Sequence, residues 1–241
     1  MIVQFKWVLG MIKTYFGPMG ASKTKTLLDE YEKIYFKDRI LVFSPVKDDR
    51  FGVGKIKERD TILKDGSIIR GREIDSIAIE DFFEIEKHLS LTTKHVFIDE
   101  VNFFESEEDE DKGKTLYELE KRRYESMRLL LKLSLEKKIN FYLFGLNLTA
   151  EMMPYGLMPA AIAYSTEPPE VLSAECIDCG DIAHYTFYIP FEKETNVIGA
   201  DDYCALCGPC HFKWEGIYKE LKSENNLEEY FRLAKVLKPY K

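Results

Sequence analysis

At 241 residues, 45% hydrophobic and 32% charged, the chain has the composition of an ordinary globular protein and enough length to bury a full core. Its net charge of -8 excludes a sequence-independent duplex binder, which needs a basic face, and restricts any anionic ligand to a place where positive groups gather locally. No apolar stretch approaches the roughly 20 residues that cross a bilayer, so neither nucleic acid nor membrane is expected as a partner.

The first ten residues, MIVQFKWVLG, are apolar but lack a basic leader and a small-residue cleavage site, and read as strand or tail rather than signal peptide. Apolar β-type runs follow at Ile12 to Phe16, Ile40 to Phe43 and His95 to Ile98. After the third comes ESEEDEDKGK, with six acidic residues between Glu105 and Asp111, expected to form a solvated, mobile loop because like charges resist packing. A long helical pattern runs from Leu116 to Lys138, and a fourth strand from Phe141 to Phe144. Strands alternating with helices predict an α/β domain with a parallel sheet over residues 1–150. From Glu151 the character changes to Pro, Gly, Tyr and Cys with short strand-like pieces, which predicts a small second lobe over 151–215 and a helical tail over 216–241. The charged run Trp214 to Leu237 reads as a surface helix.

Between the first strand and a helical segment lies Gly17-Pro18-Met19-Gly20-Ala21-Ser22-Lys23-Thr24. A phosphate loop curls successive backbone N–H groups around phosphate oxygens at a helix N-terminus, while a lysine reaches the outer phosphates and a hydroxyl holds magnesium. Gly17, Lys23 and Thr24 have the required spacing, but Ser22 stands where the pattern GxxxxGK[ST] has glycine. The second signal is His95-Val-Phe-Ile-Asp-Glu100, an apolar strand ending in two carboxylates. Phosphate-loop enzymes place one such acid on magnesium and a neighbouring one on the attacking nucleophile. Together the two motifs predict nucleotide binding.

All five cysteines lie at or beyond Cys176. That clustering points to a local metal site in a reducing cytoplasm rather than to disulfides. Cys176-Ile-Asp-Cys179 and Cys207-Gly-Pro-Cys210, with 27 residues between the pairs, form two thiolate knuckles of the kind that close a structural zinc site. Cys204-Ala-Leu-Cys207 is also a CxxC, and His211 is a further possible ligand.

Jointly these segments resemble the thymidine kinase family of animal cytosol, many bacteria, poxviruses and phages. Its phosphate loop GPMxSGKS/T is similar to Gly17–Thr24, its KDTRY to Lys47-Asp48-Asp49-Arg50-Phe51, and its IDEGQFF to Ile98-Asp99-Glu100-Val101-Asn102-Phe103-Phe104. LDGTFxxxPFG is similar to Leu146–Gly156, KLTAVCxxC to Val171–Cys179, AxYT to Ala183–Thr186, and IGGADKYxxxCRxC to Ile198–Cys210. The resemblance makes Cys207 and Cys210 the distal zinc pair and Cys204 the spare. It implies a phosphate-loop sheet flanked by helices, plus a zinc-ribbon-like lobe whose lasso loop, here Thr195, Asn196, Val197, Ile198 and Gly199, covers the base beside Tyr203. Met19, Phe103, Ala150 and Tyr155 would be further pocket walls.

The implied activity is transfer of the ATP γ-phosphoryl group to a deoxynucleoside 5′-hydroxyl in nucleotide salvage. Glu100 would accept the proton and Lys23 would neutralise phosphate charge. Thr24 and Asp99 would hold magnesium, Asp48 would add an outer contact, and Arg50 would grip phosphate. The family commonly forms tetramers, so a homo-oligomer is expected. No histidine is assigned a catalytic role: His88, His95 and His184 read as structural, and His211 as a neighbour of the zinc site.

The chain departs from the family at Ser22, Val101, Asn102, one missing glycine at Ile198-Gly-Ala-Asp201, and Ala150, where the family has phenylalanine. Losing that aromatic opens space against the base, which predicts an altered preference, toward a 5-substituted pyrimidine. A second reading, a kinase-derived binding module without catalysis, is favoured by Ser22 and the acidic run. It is opposed by retention of Lys23, Thr24, Asp99 and Glu100.

Overall fold

The computed structural model describes residues 10–48, 52–63, 65–106, 113, 115–189 and 203–237. Residues 1–9 of the N-terminal run, Asp49, Arg50, residues 107–111 of the acidic run and the lasso segment Thr195 to Gly199 lie outside the described residues.

In chain order, β1 (Ile12–Phe16), α1 (Lys23–Glu32) and β2 (Ile40–Pro45) are followed by the short strands β3 (Lys55–Lys57), β4 (Thr61–Ile62), β5 (Ile68–Ile69), β6 (Glu73–Asp75) and β7 (Ile77–Ile79). Then come α2 (Ile85–His88), β8 (His95–Ile98), α3 (Leu116–Lys137), β9 (Asn140–Gly145), α4 (Met158–Ala163) and β10 (Glu170–Val171). The cysteine-rich part contains β11 (Ala174–Glu175), β12 (Ile182–Ala183), β13 (Tyr185–Tyr188), β14 (Tyr203–Leu206), α5 (Gly208–Ser223) and α6 (Leu227–Leu233). The described residues form two compact units: 10–15, 24–145 and 155–170 in one, and 16–23, 146–154, 171–189 and 203–237 in the other.

The first unit is built on a six-stranded sheet in the order β10-β1-β9-β8-β2-β7, in which β7, β2, β8 and β9 run parallel. This is the α/β class read from the sequence. Parallel strands are covered on both faces, and β8 shows it: Val96, Phe97 and Ile98 are all fully buried despite pointing alternately to opposite sides. Phe97 stacks on Tyr142 of β9 at 4.4 Å, and Tyr15 of β1 stacks on Phe144 of β9 at 4.6 Å. Helix α3 begins with a capping box in which the Thr115 hydroxyl accepts from the Glu118 N–H and the Glu118 carboxylate accepts from Thr115. Its buried residues Leu119, Met127, Leu130 and Leu133 lie eight, three and three apart, on one stripe.

The sequence reading did not assign the strands between residues 55 and 79. There β3 pairs with β6 and β4 with β5, both antiparallel. Two or three residues each, and largely exposed, they are too short to leave a readable period.

In the second unit β11 pairs with β12 and β13 with β14, all antiparallel. The expectation of one surface helix from Trp214 to Leu237 is corrected here. The run divides at Asn225, whose φ is +55°, and Trp214, Tyr230, Ala234 and Leu237 are buried in one core with Phe187, Ile189 and Leu206. Trp214 and Tyr218 meet Tyr230 edge to face at 6.5 and 5.1 Å. The charged residues that suggested a surface occupy the opposite face of an amphipathic pair.

Phe97→Ala should lower stability by about 3–5 kcal/mol, because it removes a stacked ring from a fully buried strand. Urea unfolding with an unchanged slope is the measurement, and a loss below about 1 kcal/mol would contradict this packing.

Candidate functional site

The phosphate-loop segment belongs to the second unit. Leu172 donates its N–H to the Phe16 carbonyl at 2.7 Å, and the next carbonyl, of Leu172 itself, comes so close to Gly17 that a Cβ there would sit 2.1 Å from it. Only glycine fits. Two residues on, the Met19 N–H donates to the Thr186 hydroxyl at 3.0 Å. The Ala21 N–H donates to the Pro18 carbonyl at 3.3 Å, closing a turn. Lys23 is buried, with its Nζ donating to the carbonyls of Gly17 at 3.2 Å and Pro18 at 2.8 Å, which holds the ammonium against the loop. The loop leads into the ten-residue α1, whose N-terminal end carries the positive pole of the helix dipole and favours anions.

Ser22 adopts a left-handed backbone with φ +57°. Glycine adopts this conformation without steric cost, whereas the serine carries a strain of about 1–2 kcal/mol.

The carboxylate pair lies in the first unit at the end of β8. Asp99 and Glu100 are both buried. The Asp99 N–H donates to the Phe43 carbonyl at 3.0 Å, extending the pairing with β2, and its Oδ1 accepts from the Glu100 N–H at 3.0 Å. Glu100 is left-handed at φ +46°, which turns the chain out of the strand and into a 3-10 turn over Val101–Phe103. Such strain persists only where surrounding contacts impose it. One such contact is Gly156, whose φ is +50° and at which a Cβ would meet the Asn102 carbonyl at 1.9 Å. Phe103 and Tyr155, both expected as pocket walls, meet edge to face at 6.0 Å. Lys47 reaches the Phe103 carbonyl at 3.4 Å and the Ser106 hydroxyl at 3.3 Å. Asp48 sits in the turn after β2, its N–H on the Pro45 carbonyl, and Thr24 in the first turn of α1.

The four thiols of Cys176, Cys179, Cys207 and Cys210 lie within 4.8 Å of one another, with Cys179 and Cys207 at 3.6 Å. A tetrahedral zinc with Zn–S near 2.3 Å requires sulfur separations of about 3.8 Å, so this donor set fits a structural zinc ion. Burial pushes the Cys176 thiol up, but hydrogen bonds from the backbone at Cys207, Cys179 and Asp178 outweigh it and bring it down to about 7. Cys204, opposite Phe187 in the β13–β14 pair, is buried in the apolar core, which pushes its thiol up to about 12. His211 turns away to other work: its Nε2 donates to the Ala150 carbonyl at 3.1 Å, and its ring packs edge-on against Phe187. Tyr203 pairs with Tyr188 across β13–β14, their rings 5.2 Å apart.

The thymidine kinase family profile matches residues 10–211, spanning the loop, the acid pair and the cysteines. The chain belongs to the thymidine kinase family. Among curated relatives, it is 26% identical over 222 residues to a thymidine kinase of Mycoplasma mobile, covering 91% of this chain and 95% of that one. It is also 26% identical over 208 residues to one of Pseudothermotoga lettingae, covering 85% and 96%. A thymidine kinase of Haemophilus influenzae is 33% identical over 96 residues, 39% of this chain and 47% of that one. As a family member the chain is a kinase that phosphorylates deoxynucleosides. No helix among the described residues is long and apolar enough to cross a membrane.

For a thymidine kinase, the residues that sequence reasoning missed are those that hold the site rather than form it. Thr186 and Leu172 lie inside quoted motifs, yet nothing in their type announces a hydrogen bond to the loop. Thr186→Val should raise KM for the phosphate donor roughly tenfold, within the range of about 1–3 kcal/mol for an orphaned donor, with nucleoside KM little changed. Thr186→Ser, which keeps the hydroxyl, should restore it. Equal effects on both substrates would contradict this brace.

Proposed function

We propose that this kinase transfers the γ-phosphoryl group of ATP to the 5′-hydroxyl of a pyrimidine deoxynucleoside, thymidine or a 5-substituted relative, in nucleotide salvage. What carries the reading is the loop itself: Ser22 adopts a left-handed backbone of the kind glycine takes without cost, and Lys23 and Thr24 open α1 directly after it. A chain freed from catalysis has no reason to keep that strain together with a buried Asp99–Glu100 pair.

In this proposal the loop residues Gly17 to Thr24 bind the phosphates, and the Lys23 ammonium swings from the loop carbonyls to the β- and γ-phosphates. Glu100 accepts the hydroxyl proton as the new P–O bond forms and the bond to the ADP oxygen breaks. Thr24 and Asp99 are hard oxygen donors suited to magnesium, which supplies charge neutralisation between the phosphates. By resemblance alone, Arg50, Asp49 and Asp48 would serve the phosphates and magnesium, and the lasso residues with Phe103, Tyr155, Tyr203 and Ala150 would serve the base. Zinc is structural. Resemblance extends the proposal to a homotetramer in the cytoplasm.

The test is transfer from labelled ATP across a panel of deoxynucleosides. Glu100→Gln should lower kcat by about 10²–10⁴, and Ala150→Phe should shift preference from bulky 5-substituents toward thymidine. Full activity in Glu100→Gln refutes the base assignment. Wild-type preference for thymidine over every bulkier analogue refutes the enlarged pocket.

A further inference from the structure

The acidic run opens with a residue that is not solvated. Glu105 is 4% exposed, a correction to the expectation that the run floats free from its first carboxylate, and its backbone is left-handed at φ +48°. Two successive arginines of α3 hold it. The Arg122 Nε donates to both carboxylate oxygens, at 2.9 and 3.0 Å, while the Arg123 Nε donates to the Glu105 backbone carbonyl at 3.0 Å. One arginine thus fixes the side chain and its neighbour fixes the main chain.

Each arginine is itself held. The Arg122 Nη2 donates to Asp81 at 2.7 Å, and its guanidinium lies over the Phe83 ring. Asp81 in turn caps the turn over Phe82–Glu84, accepting from the Phe83 N–H at 2.9 Å. Arg123 is buried and pairs with Glu120 at 2.7 Å. An exposed ion pair on a helix is worth little, but a buried carboxylate held by a planar guanidinium that is itself anchored on Asp81 has a fixed geometry to transmit.

What it transmits follows from the chain. Asp99 to Glu105 is one short excursion whose start is tied to β2 through the Asp99 N–H on Phe43 and whose middle is tied by Lys47 on the Phe103 carbonyl. It turns at two left-handed residues, Glu100 and Glu105. The first of these carries the carboxylate that takes the proton, and between the two lies Phe103, the ring that meets Tyr155. With the start fixed by the sheet and the middle bounded by Gly156 against Asn102, holding the end at Glu105 closes the excursion and limits how far Glu100 and Phe103 can shift.

We propose that Glu105, clamped by Arg122 and Arg123, is a positioning residue that sets the Glu100 carboxylate and the Phe103 ring for phosphoryl transfer. The inference rests on the reading of Glu100 as base. A clamp that only anchors α3 would alter stability and nothing else, whereas misplacing a reacting group by about 1 Å costs on the order of 10²-fold in rate.

The experiment uses the full chain and compares Glu105→Gln, Arg122→Lys, Arg122→Gln and the Glu105→Gln/Arg122→Gln double variant. Melting temperature, active fraction, kcat, and KM for nucleoside and for ATP are measured for each. Glu105→Gln should lose about 10- to 100-fold in kcat per active site and gain several-fold in nucleoside KM. Its ATP KM should stay within twofold. Arg122→Lys, which keeps the charge but not the fork, should show the same split more weakly and stay folded if Glu105→Gln does not. The double variant should be no worse than the worse single one, as for groups acting as a unit. Normal kinetics in a folded Glu105→Gln or Arg122→Lys, losses that merely track the active fraction, or additive losses would overturn the proposal. Glu100→Gln separates the two ideas: if it is fully active the base assignment fails, and if it is dead while the Glu105 and Arg122 variants are normal, only the clamp fails.

Discussion

The shape of the Gly17–Thr24 loop depends on two hydrogen bonds within the cysteine-rich unit, and in the proposed kinase it must be set before phosphate arrives. Leu172 fixes Phe16 and forces residue 17 to be glycine, and Thr186 fixes the Met19 N–H. Thr186 lies opposite Ala205 in the β13–β14 pair, and β14 runs straight into Cys207 and Cys210. Four cysteine sulfurs that fit a structural zinc ion thus stand only a few residues from the brace of the loop. Zinc that organises this unit would organise the loop with it, which gives a metal that does no chemistry a reason to matter for catalysis.

The second theme is where strain is placed. Ser22, Glu100 and Glu105 are non-glycine residues with positive φ, and each sits in a segment with a functional assignment. Each costs about 1–2 kcal/mol. Each is also over-determined by neighbours: Ser22 follows the braced loop, Glu100 is bounded by the β8 ladder and by Gly156 against Asn102, and Glu105 is clamped by Arg122 and Arg123. Strain of this kind makes geometry specific, because a relaxed backbone would have several equivalent ways to present a carboxylate.

The sheet was largely legible in the sequence. Ile12 to Phe16 and His95 to Ile98 have the bounds of β1 and β8: the buried strand β8 leaves the apolar run Val96-Phe97-Ile98, and β1 keeps Ile12, Tyr15 and Phe16 around Lys13 and Thr14 before the loop at Gly17. Spacing made the cysteines readable as a metal-type cluster but left Cys204-Ala-Leu-Cys207 open as an alternative knuckle, and it was the family resemblance that pointed to Cys207 and Cys210, the pair whose thiols lie with those of Cys176 and Cys179. What could not be read depends on contacts between distant residues. The Trp214–Leu237 run looked like a surface helix because its charges are visible in one dimension, while the break at Asn225 and the burial of Tyr230 are set by packing. Glu105 looked like one acid among six, since nothing local distinguishes it from its neighbours. Its partners lie 17 and 18 positions away on α3. The shape of Ser22 was hidden for a different cause, because its residue type argues against the conformation it adopts.

The most direct test of the account is hydrogen exchange at the Met19 amide, followed with zinc bound and after chelation under conditions that leave the first unit folded. If the cysteine cluster organises the brace of the loop, Met19 should be protected with zinc and exchange freely without it, while Val96, Phe97 and Ile98 in the central strand keep their protection. Met19 protection that survives complete removal of zinc would contradict the claim that the metal shapes the phosphate loop.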